Sequence, residues 1–316
     1  MKALETIMKK TLSLLLLPLL ILAPLAAQSP GASNPPQAPA AERRGSVASG
    51  SKGLVVSGKQ PATAAGVQIL DAGGNAADAG AATLLALTVT AIGAFCIGGE
   101  VPIMIYKADT KQIKVLAGQG GAPLDPKAIE WYMQNRIPGK GVVKAAAVPS
   151  ALDAIVTLLK LHGTKTFSEV VQPTLKILDA GGPTWYIDTS DRTRIETGKD
   201  WYKDLAVTYR KLAEAEQKAK GTREERLQAV SDRFYRGDIA DDLEKWYIEM
   251  GGFIRKADLA AHKTRIEDPL STNYRGYTVY KVGPWTQGPF VLQTLRLLEG
   301  FDIKKMGFQS ADYIHV

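Results

Sequence analysis

The 316-residue sequence contains little cysteine and little histidine, and only 22% of its residues are charged. Its single cysteine, Cys96, has no partner within the chain, which excludes an internal disulfide framework and a cysteine-ligated metal site. Hydrophobic residues make up 45% of the chain, which excludes disorder as its main state and is enough for a sizeable core. The three histidines lie far apart, and none has a second histidine or a carboxylate at metal-ligand spacing: His162, His262 and His315.

Residues 1–27 have the order of a secretory signal peptide. A short basic segment precedes a leucine-rich run, and Ala26-Ala27 offers small residues for cleavage. Pro18 and Pro24 interrupt the run, which is already shorter than the ~20 apolar residues that a membrane span requires. We therefore predict export to the periplasm or the medium, and no membrane association once the signal is removed.

Residues 28–52 are rich in Pro, Ala, Ser and Gly, a composition that cannot bury a core and predicts a disordered linker. The folded domain is predicted over 53–316. The net charge is +7, of which the first ten residues contribute +2, so the mature protein would carry about +5. A bias this mild does not indicate a nucleic-acid partner.

The pattern of the folded part predicts a mixed α/β (α+β) domain with mainly antiparallel strands, because helices, a hairpin, more helices and a strand follow one another without βαβ alternation. Asn75 is a candidate cap for a helix that is apolar on every side, which predicts a central, sandwiched position. The predicted helices are 61–72, 76–91, 149–161, 166–180, a pair within 201–233, 238–250, 256–262, 288–299 and one from 310, with strands at 102–106, 113–116 and 274–282.

Generic chemical criteria reveal no complete catalytic site. Gly139-Lys140-Gly141 lacks the rest of a phosphate-binding loop, and no serine occupies a Gly-x-Ser-x-Gly elbow. Asp71, Asp78 and Glu100 are conceivable as an acid/base set, but capping and turn roles suit the first two better. We assign no catalytic or metal-binding residue on these grounds.

An ordered series of segments nevertheless resembles one family. Asp71 to Ala79 reads Asp-Ala-Gly-Gly-Asn-Ala-Ala-Asp-Ala, which is similar to the Gly-Gly-Asn-Ala-x-Asp-Ala element of the γ-glutamyltransferase, or glutathione hydrolase, family. Further similar segments occur in the family's order across nearly the whole folded part: Gly93–Met104, Gly121–Pro123, Phe234–Ala240, Gly252–Ala261, Tyr274–Tyr277, Gly288–Phe301 and Ser310–His315.

The resemblance implies a four-layer αββα fold of the N-terminal-nucleophile hydrolase class, made as a precursor that cleaves itself. In such enzymes the new N-terminal Thr of a small subunit attacks a γ-glutamyl amide of the glutathione type, with neither metal nor organic cofactor. The family's Thr-Thr/Ser-His motif is absent here, and the resemblance places it some tens of residues beyond Val316. We therefore expect an incomplete, large-subunit portion that is inactive alone and needs a partner segment bearing the Thr.

One substitution bears on the substrate. The resemblance implies an Arg, within an Arg-Glu-x-Ala-Pro segment, that binds the α-carboxylate of the glutamyl group, and Gln119 occupies that position. The family's Pro-Ser-Gly turn is also altered, to residues 283–289. Either the chain is a divergent but ordinary member, or its acyl group lacks a free α-carboxylate or is anchored elsewhere.

Two other functions remain open at this point. The first is a catalytically inactive αββα scaffold that acts as a binding or assembly partner. The second is a solute-binding protein, which the export signal suits but the absence of repeated βαβ halves disfavours.

Overall fold

The computed structural model describes residues 48–139, 141–181 and 200–316, so the predicted signal peptide and residues 28–47 of the predicted linker lie outside the described residues. Ser49–Val316 forms one compact unit. The helices of the described residues are α1 (Gln60–Asp71), α2 (Ala76–Thr90), α3 (Pro126–Asn135), α4 (Ala151–His162), α5 (Phe167–Val170), α6 (Gln172–Asp179), α7 (Trp201–Lys218), α8 (Arg223–Tyr235), α9 (Asp238–Glu249), α10 (Lys256–Ala261), α11 (Gly288–Leu298), α12 (Ile303–Met306) and α13 (Ala311–His315), with a 3-10 turn at Val143–Ala145.

Two antiparallel sheets are present in the described part of the chain. The first has the order β1-β2-β3, with strands Val101–Lys107, Gln112–Gly118 and Arg265–Glu267. Its β1–β2 hairpin pairs Val101 with Gly118 at one end and Lys107 with Gln112 at the other, as the sequence predicts. The second sheet is the hairpin of β4 (Leu270–Tyr274) and β5 (Tyr277–Lys281).

Helix α2 lies at the centre, as its all-round apolar sequence predicts. The Asn75 side chain accepts hydrogen bonds from the backbone N–H of Ala77 and Asp78, and the Asp78 carboxylate accepts one from the N–H of Asn75. This reciprocal cap satisfies amides that the first helical turn leaves free. Helices α1, α4 and α6 pack against α2, so side chains on every face of it are buried.

A helix packs against each sheet. Helix α4 contacts β1 and β2, and α11 contacts β4 and β5, so the described chain has mixed helix and sheet in layers. The predicted charged pair, α7 and α8, buries one apolar face that includes Tyr209, Leu212 and Leu227. None of the described helices is both long and apolar enough to span a bilayer.

One local prediction was wrong, one was correct in part, and one helix was not predicted. The helix predicted over 166–180 is broken between α5 and α6, where Pro173 in the first turn of α6 has no N–H to continue the hydrogen-bond ladder. The strand predicted at 274–282 is confirmed over 277–281 as β5, but Tyr274 belongs to β4, because the chain reverses at Arg275 and Gly276, both at positive φ. Helix α3, capped by Asp125, was missed.

Candidate functional site at the open end of the first hairpin

The residue singled out by the sequence, Gln119, lies immediately after β2, at the open end of the β1–β2 hairpin. It is half-buried. Its side-chain amide makes no hydrogen bond within the described part of the chain. A neutral amide with free donor and acceptor atoms is thus available to a ligand.

The loop that carries Gln119 rests directly on the segment that leads into α4. A β-carbon placed on Gly120 would lie 1.7 Å from the Val148 carbonyl oxygen, so only glycine permits this approach. The backbone N–H of Val148 donates to the carbonyl of Gly121 at 3.0 Å. These contacts hold the loop against the segment before α4.

Ser150 joins this loop to the glycine turn before β1. Its buried hydroxyl lies 2.8 Å from the Gly118 carbonyl oxygen and 3.2 Å from that of Gly99. The backbone N–H groups of Ser150 and Ala151 also donate to the Gly99 carbonyl, at 3.1 and 2.9 Å. Sequence reasoning missed Ser150, since a serine before a helix is ordinarily a cap, whereas here its side chain makes no capping bond.

The segment after the loop is attached to α10. One carboxylate oxygen of the buried Asp258 accepts the backbone N–H of Leu124 at 2.7 Å, and the other accepts that of Arg255 at 2.6 Å. Two of the segments that resemble the family, around 121–123 and 252–261, therefore meet. They are far apart in sequence, and only the fold brings them together.

The altered turn at 283–289 is attached to the end of β3, whereas the Gln119 loop is attached to α4 and α10. The Trp285 indole N–H donates to Glu267 at the end of β3, at 2.8 Å, and this bond, with Arg265 beside it, lowers the pKa of the Glu267 carboxyl. A β-carbon on Gly288 would lie 2.1 Å from the Val282 carbonyl oxygen, so the turn is close-packed. Within the described residues, no hydrogen bond or ion pair joins this turn to Gln119.

Comparison with known proteins identifies the family. The family model described as Gamma-glutamyltranspeptidase matches residues 62–316. The chain belongs to the gamma-glutamyltranspeptidase family. The resemblance seen in the sequence is thereby confirmed, and this is an enzyme family.

The curated relatives of this chain include proteins named as an acylase and as a glutathione hydrolase. It is 32% identical to an Acylase ACY 1 proenzyme of Pseudomonas sp. (strain SE83), covering 85% of this chain and 51% of that protein. It is 31% identical to a Glutathione hydrolase proenzyme of Pseudomonas sp. (strain A14), covering 83% of this chain and 48% of that protein. The chain thus spans about half the length of these curated relatives.

A solved structure confirms the fold. The gamma-glutamyltranspeptidase of Helicobacter pylori matches with a TM-score of 0.73 and 26% identity, over 85% of this chain and 81% of that one. The predicted N-terminal-nucleophile hydrolase class, with mixed helix and sheet, is therefore correct.

The candidate acid/base set does not form a site in this gamma-glutamyltranspeptidase family member. The Asp78 carboxylate is fully buried and accepts hydrogen bonds from Asn75, from the N–H and hydroxyl of Thr164, and from the N–H of Lys165. Asp71 and Glu100 are exposed. Asp78 therefore ties the start of α2 to the loop after α4, which confirms the capping interpretation.

Two of the three histidines are half-buried at the ends of helices. His262 follows α10 and its ring lies 5.4 Å from that of Tyr235, where burial lowers the pKa of the imidazole. Burial likewise lowers the pKa of His162 at the end of α4, with Lys107 contributing. Across residues 48–139, 141–181 and 200–316, no three His, Cys, Asp or Glu side chains group as metal ligands.

A cavity of about 730 Å³ borders the free edge of β1. Strand β1 pairs only with β2, so its outer edge carries no partner strand within the described sheet. The cavity is lined by Ile103–Tyr106 of β1, by residues 52–58 before α1 and by one face of α2. Its walls are mainly apolar.

Proposed function

We propose that the chain is the large-subunit part of an exported enzyme that hydrolyses or transfers the acyl group of γ-glutamyl amides or related amides. The observation that carries this proposal is the family match over 62–316 to proteins named as proenzymes, of which the chain spans half. The nucleophilic Thr is supplied by a small-subunit segment of the same precursor or of a separate chain. Without that segment the chain is inactive.

The proposed chemistry requires little from the described residues beyond binding and positioning. A threonine hydroxyl is a weak nucleophile at neutral pH, so a base must lie beside it, and the freed α-amine of an N-terminal Thr can serve. Backbone N–H groups would stabilise the oxyanion of the tetrahedral intermediate. The tetrahedral intermediate collapses with cleavage of the C–N bond, and the departing amine takes the proton held by the α-amine. Water or an amino group then attacks the ester, so that the acyl group is transferred and the Thr hydroxyl is restored, with no metal or organic cofactor.

The free edge of β1 is the place where the partner segment would join. An unpaired strand edge beside an apolar slot is suited to the addition of an extended segment, because main-chain hydrogen bonds and buried side chains both contribute. The open end of the same hairpin carries Gln119. A segment added along β1 would therefore reach the vicinity of the candidate substrate-binding loop.

Gln119 indicates an acyl group without a free α-carboxylate at this position. An Arg offers a charged, bidentate fork to a carboxylate, whereas a Gln offers a neutral amide. Loss of one partner of a buried charged pair costs about 2–5 kcal/mol, which would weaken γ-glutamyl binding severely. One relative is named an acylase rather than a glutathione hydrolase, which supports a different acyl group.

The test is to co-express the chain with the second segment of its precursor and to assay two anilides. One is γ-glutamyl anilide, and the other is the same compound with its α-carboxylate amidated. We expect the wild-type complex to prefer the amidated donor and Gln119→Arg to lower the KM for γ-glutamyl anilide at least tenfold. No gain in affinity with Gln119→Arg would contradict the specificity argument.

The same assay distinguishes the proposed enzyme from the alternative, a catalytically inactive scaffold. A complex that forms but releases no product from either donor would favour an inactive αββα scaffold that serves as an assembly partner. Activity of the purified chain alone, lost on mutating a residue within it, would overturn the need for a partner segment. Export is tested separately by sequencing the N-terminus of the mature protein recovered from the periplasm or medium.

A further inference from the structure

We propose that Ser150 is a positioning residue whose hydroxyl fixes the loop that presents Gln119 to the substrate. This inference rests on the proposed function, because it assigns Ser150 a role in the specificity of that same site. The argument uses only the geometry around the open end of the β1–β2 hairpin.

Ser150 is available for this role because the N–H groups of Ala151 and Asp153, in the first turn of α4, have other acceptors, the Gly99 carbonyl and the Tyr235 hydroxyl. The side chain of Ser150 makes no capping bond, and the Gly99 carbonyl instead accepts the N–H groups of Ser150 and Ala151. The hydroxyl proton is then free to be donated elsewhere. It points to the Gly118 carbonyl at 2.8 Å, with the Gly99 carbonyl at 3.2 Å as a second, weaker acceptor.

The hydroxyl thereby connects three segments that meet at the site. Gly99 precedes β1, Gly118 ends β2, and Ser150 begins α4. Ser150 is 0% exposed, so water cannot take over the bond if the hydroxyl is removed. One buried side chain therefore sets where the hairpin ends relative to the helix beneath it.

Gln119 is held on both sides by these contacts. The preceding carbonyl, of Gly118, is bound by Ser150, and the following residue, Gly120, is packed against the Val148 carbonyl. Gln119 itself is the single non-glycine residue of 118–121, and its amide has no partner within the described residues. The loop is a rigid support for one free side chain, and pre-organisation of this kind lowers the cost of binding.

The first arm of the experiment uses the co-expressed complex without substrate. Hydrogen exchange of the backbone amides at 117–122 is compared in wild type, Ser150→Ala and Ser231→Ala. Ser231 is a matched control, because it is also buried and its hydroxyl donates to Asp153 at 2.8 Å and to none of residues 117–122. We expect exchange at 117–122 to rise about five- to tenfold in Ser150→Ala alone, as loss of one hydrogen bond allows.

The second arm uses the co-expressed complex and the preferred anilide. Ser150→Ala should raise KM several-fold with kcat little changed, because the hydroxyl orients a binding group and not the nucleophile. Ser150→Thr, which keeps the hydroxyl, should restore both exchange and KM, while Ser231→Ala should leave KM unchanged.

The two arms separate the two possible failures. Unchanged exchange in Ser150→Ala, an equal rise in Ser231→Ala, or a raised exchange with unaltered KM would each overturn the role of Ser150. A wild-type complex that releases no product would instead overturn the proposed function, and the exchange data would still decide whether Ser150 holds the loop.

Discussion

At the scale of single residues, the buried carboxylates of the described chain bind backbone N–H groups and hydroxyls. Asp78 holds the loop at Thr164, and Glu216 accepts the N–H groups of Phe167 and Ser168. Asp153 accepts the hydroxyls of Ser231 and Thr264 and the N–H of Thr264. Hydrogen bonds of this kind compensate the desolvation of a buried charge. These acids therefore connect segments of the fold.

The contact of Gly120 with Val148 predicts a strong effect of a single methyl group. Gly120→Ala places its β-carbon 1.7 Å from a carbonyl oxygen, so the loop or the segment before α4 must move. We expect a loss of about 1–3 kcal/mol in the free energy of unfolding, measured by urea denaturation. Gly121→Ala is the control, because nothing lies within 4 Å of its β-carbon. Equal stability of the two variants would contradict the close packing.

Asp238, at the start of α9, predicts a pH dependence of stability. Hydrogen bonds from Arg233 and then Lys211 lower the pKa of its carboxyl from 3.8 to about 2. Because the folded-state pKa is the lower one, the stabilisation is fully present above about pH 4 and is lost as the pH falls towards 2. We expect Asp238→Asn to lower the free energy of unfolding at pH 6. The gap in that free energy between the variant and wild type should narrow by pH 3. A gap independent of pH would contradict the ion pairs.

At the scale of elements, the N-terminal cap of α2 predicts that two variants of Asn75 lose stability to different extents. Asn75→Ala removes both acceptor bonds of the cap and the donor bond from its side-chain amide to the His162 carbonyl, so we expect a loss of about 1–2 kcal/mol. Asn75→Asp keeps the acceptor and removes only the donor, and it should fall between wild type and Asn75→Ala. Thermal and urea unfolding measure both, and equal losses in the two variants would contradict a capping role.

The elements predicted best are those whose signals lie within a few residues. The cap at Asn75, the hairpin at 101–118 and the two long helices α7 and α8 are read from local periodicity and turn residues. The break at Pro173 and the position of β4 were not predicted, because tertiary packing decides whether a marginal segment continues or pairs.

At the scale of the whole molecule, large apolar side chains remain exposed around the second sheet. They lie on β5, on α11, in the turn after α12 and on α13, and each is more than two-thirds exposed: Tyr277, Phe290, Leu297, Phe308 and Ile314. Exposed apolar side chains in such number mark an interface with another polypeptide or a source of aggregation. They suit a second polypeptide segment that covers this surface in addition to joining the free edge of β1.

The purified chain alone is therefore expected to associate with itself. Sedimentation velocity should show species larger than the monomer, and a hydrophobic dye should bind, because water-exposed apolar area drives association. Co-expression with the second segment should reduce both signals. A monodisperse chain that melts in a single cooperative transition would contradict this expectation.

The sequence by itself determined the family, the fold class, the central position of α2 and the choice of Gln119 as the candidate substrate-binding residue. These conclusions rest on motifs in order and on local patterns of apolar residues. Tertiary structure alone decided that Ser150 bonds Gly118, that Asp258 holds Leu124 and that Trp285 binds Glu267. Those partners are between 18 and 134 residues apart in the chain. Their meeting depends on how helices and sheets pack, and no local pattern encodes that.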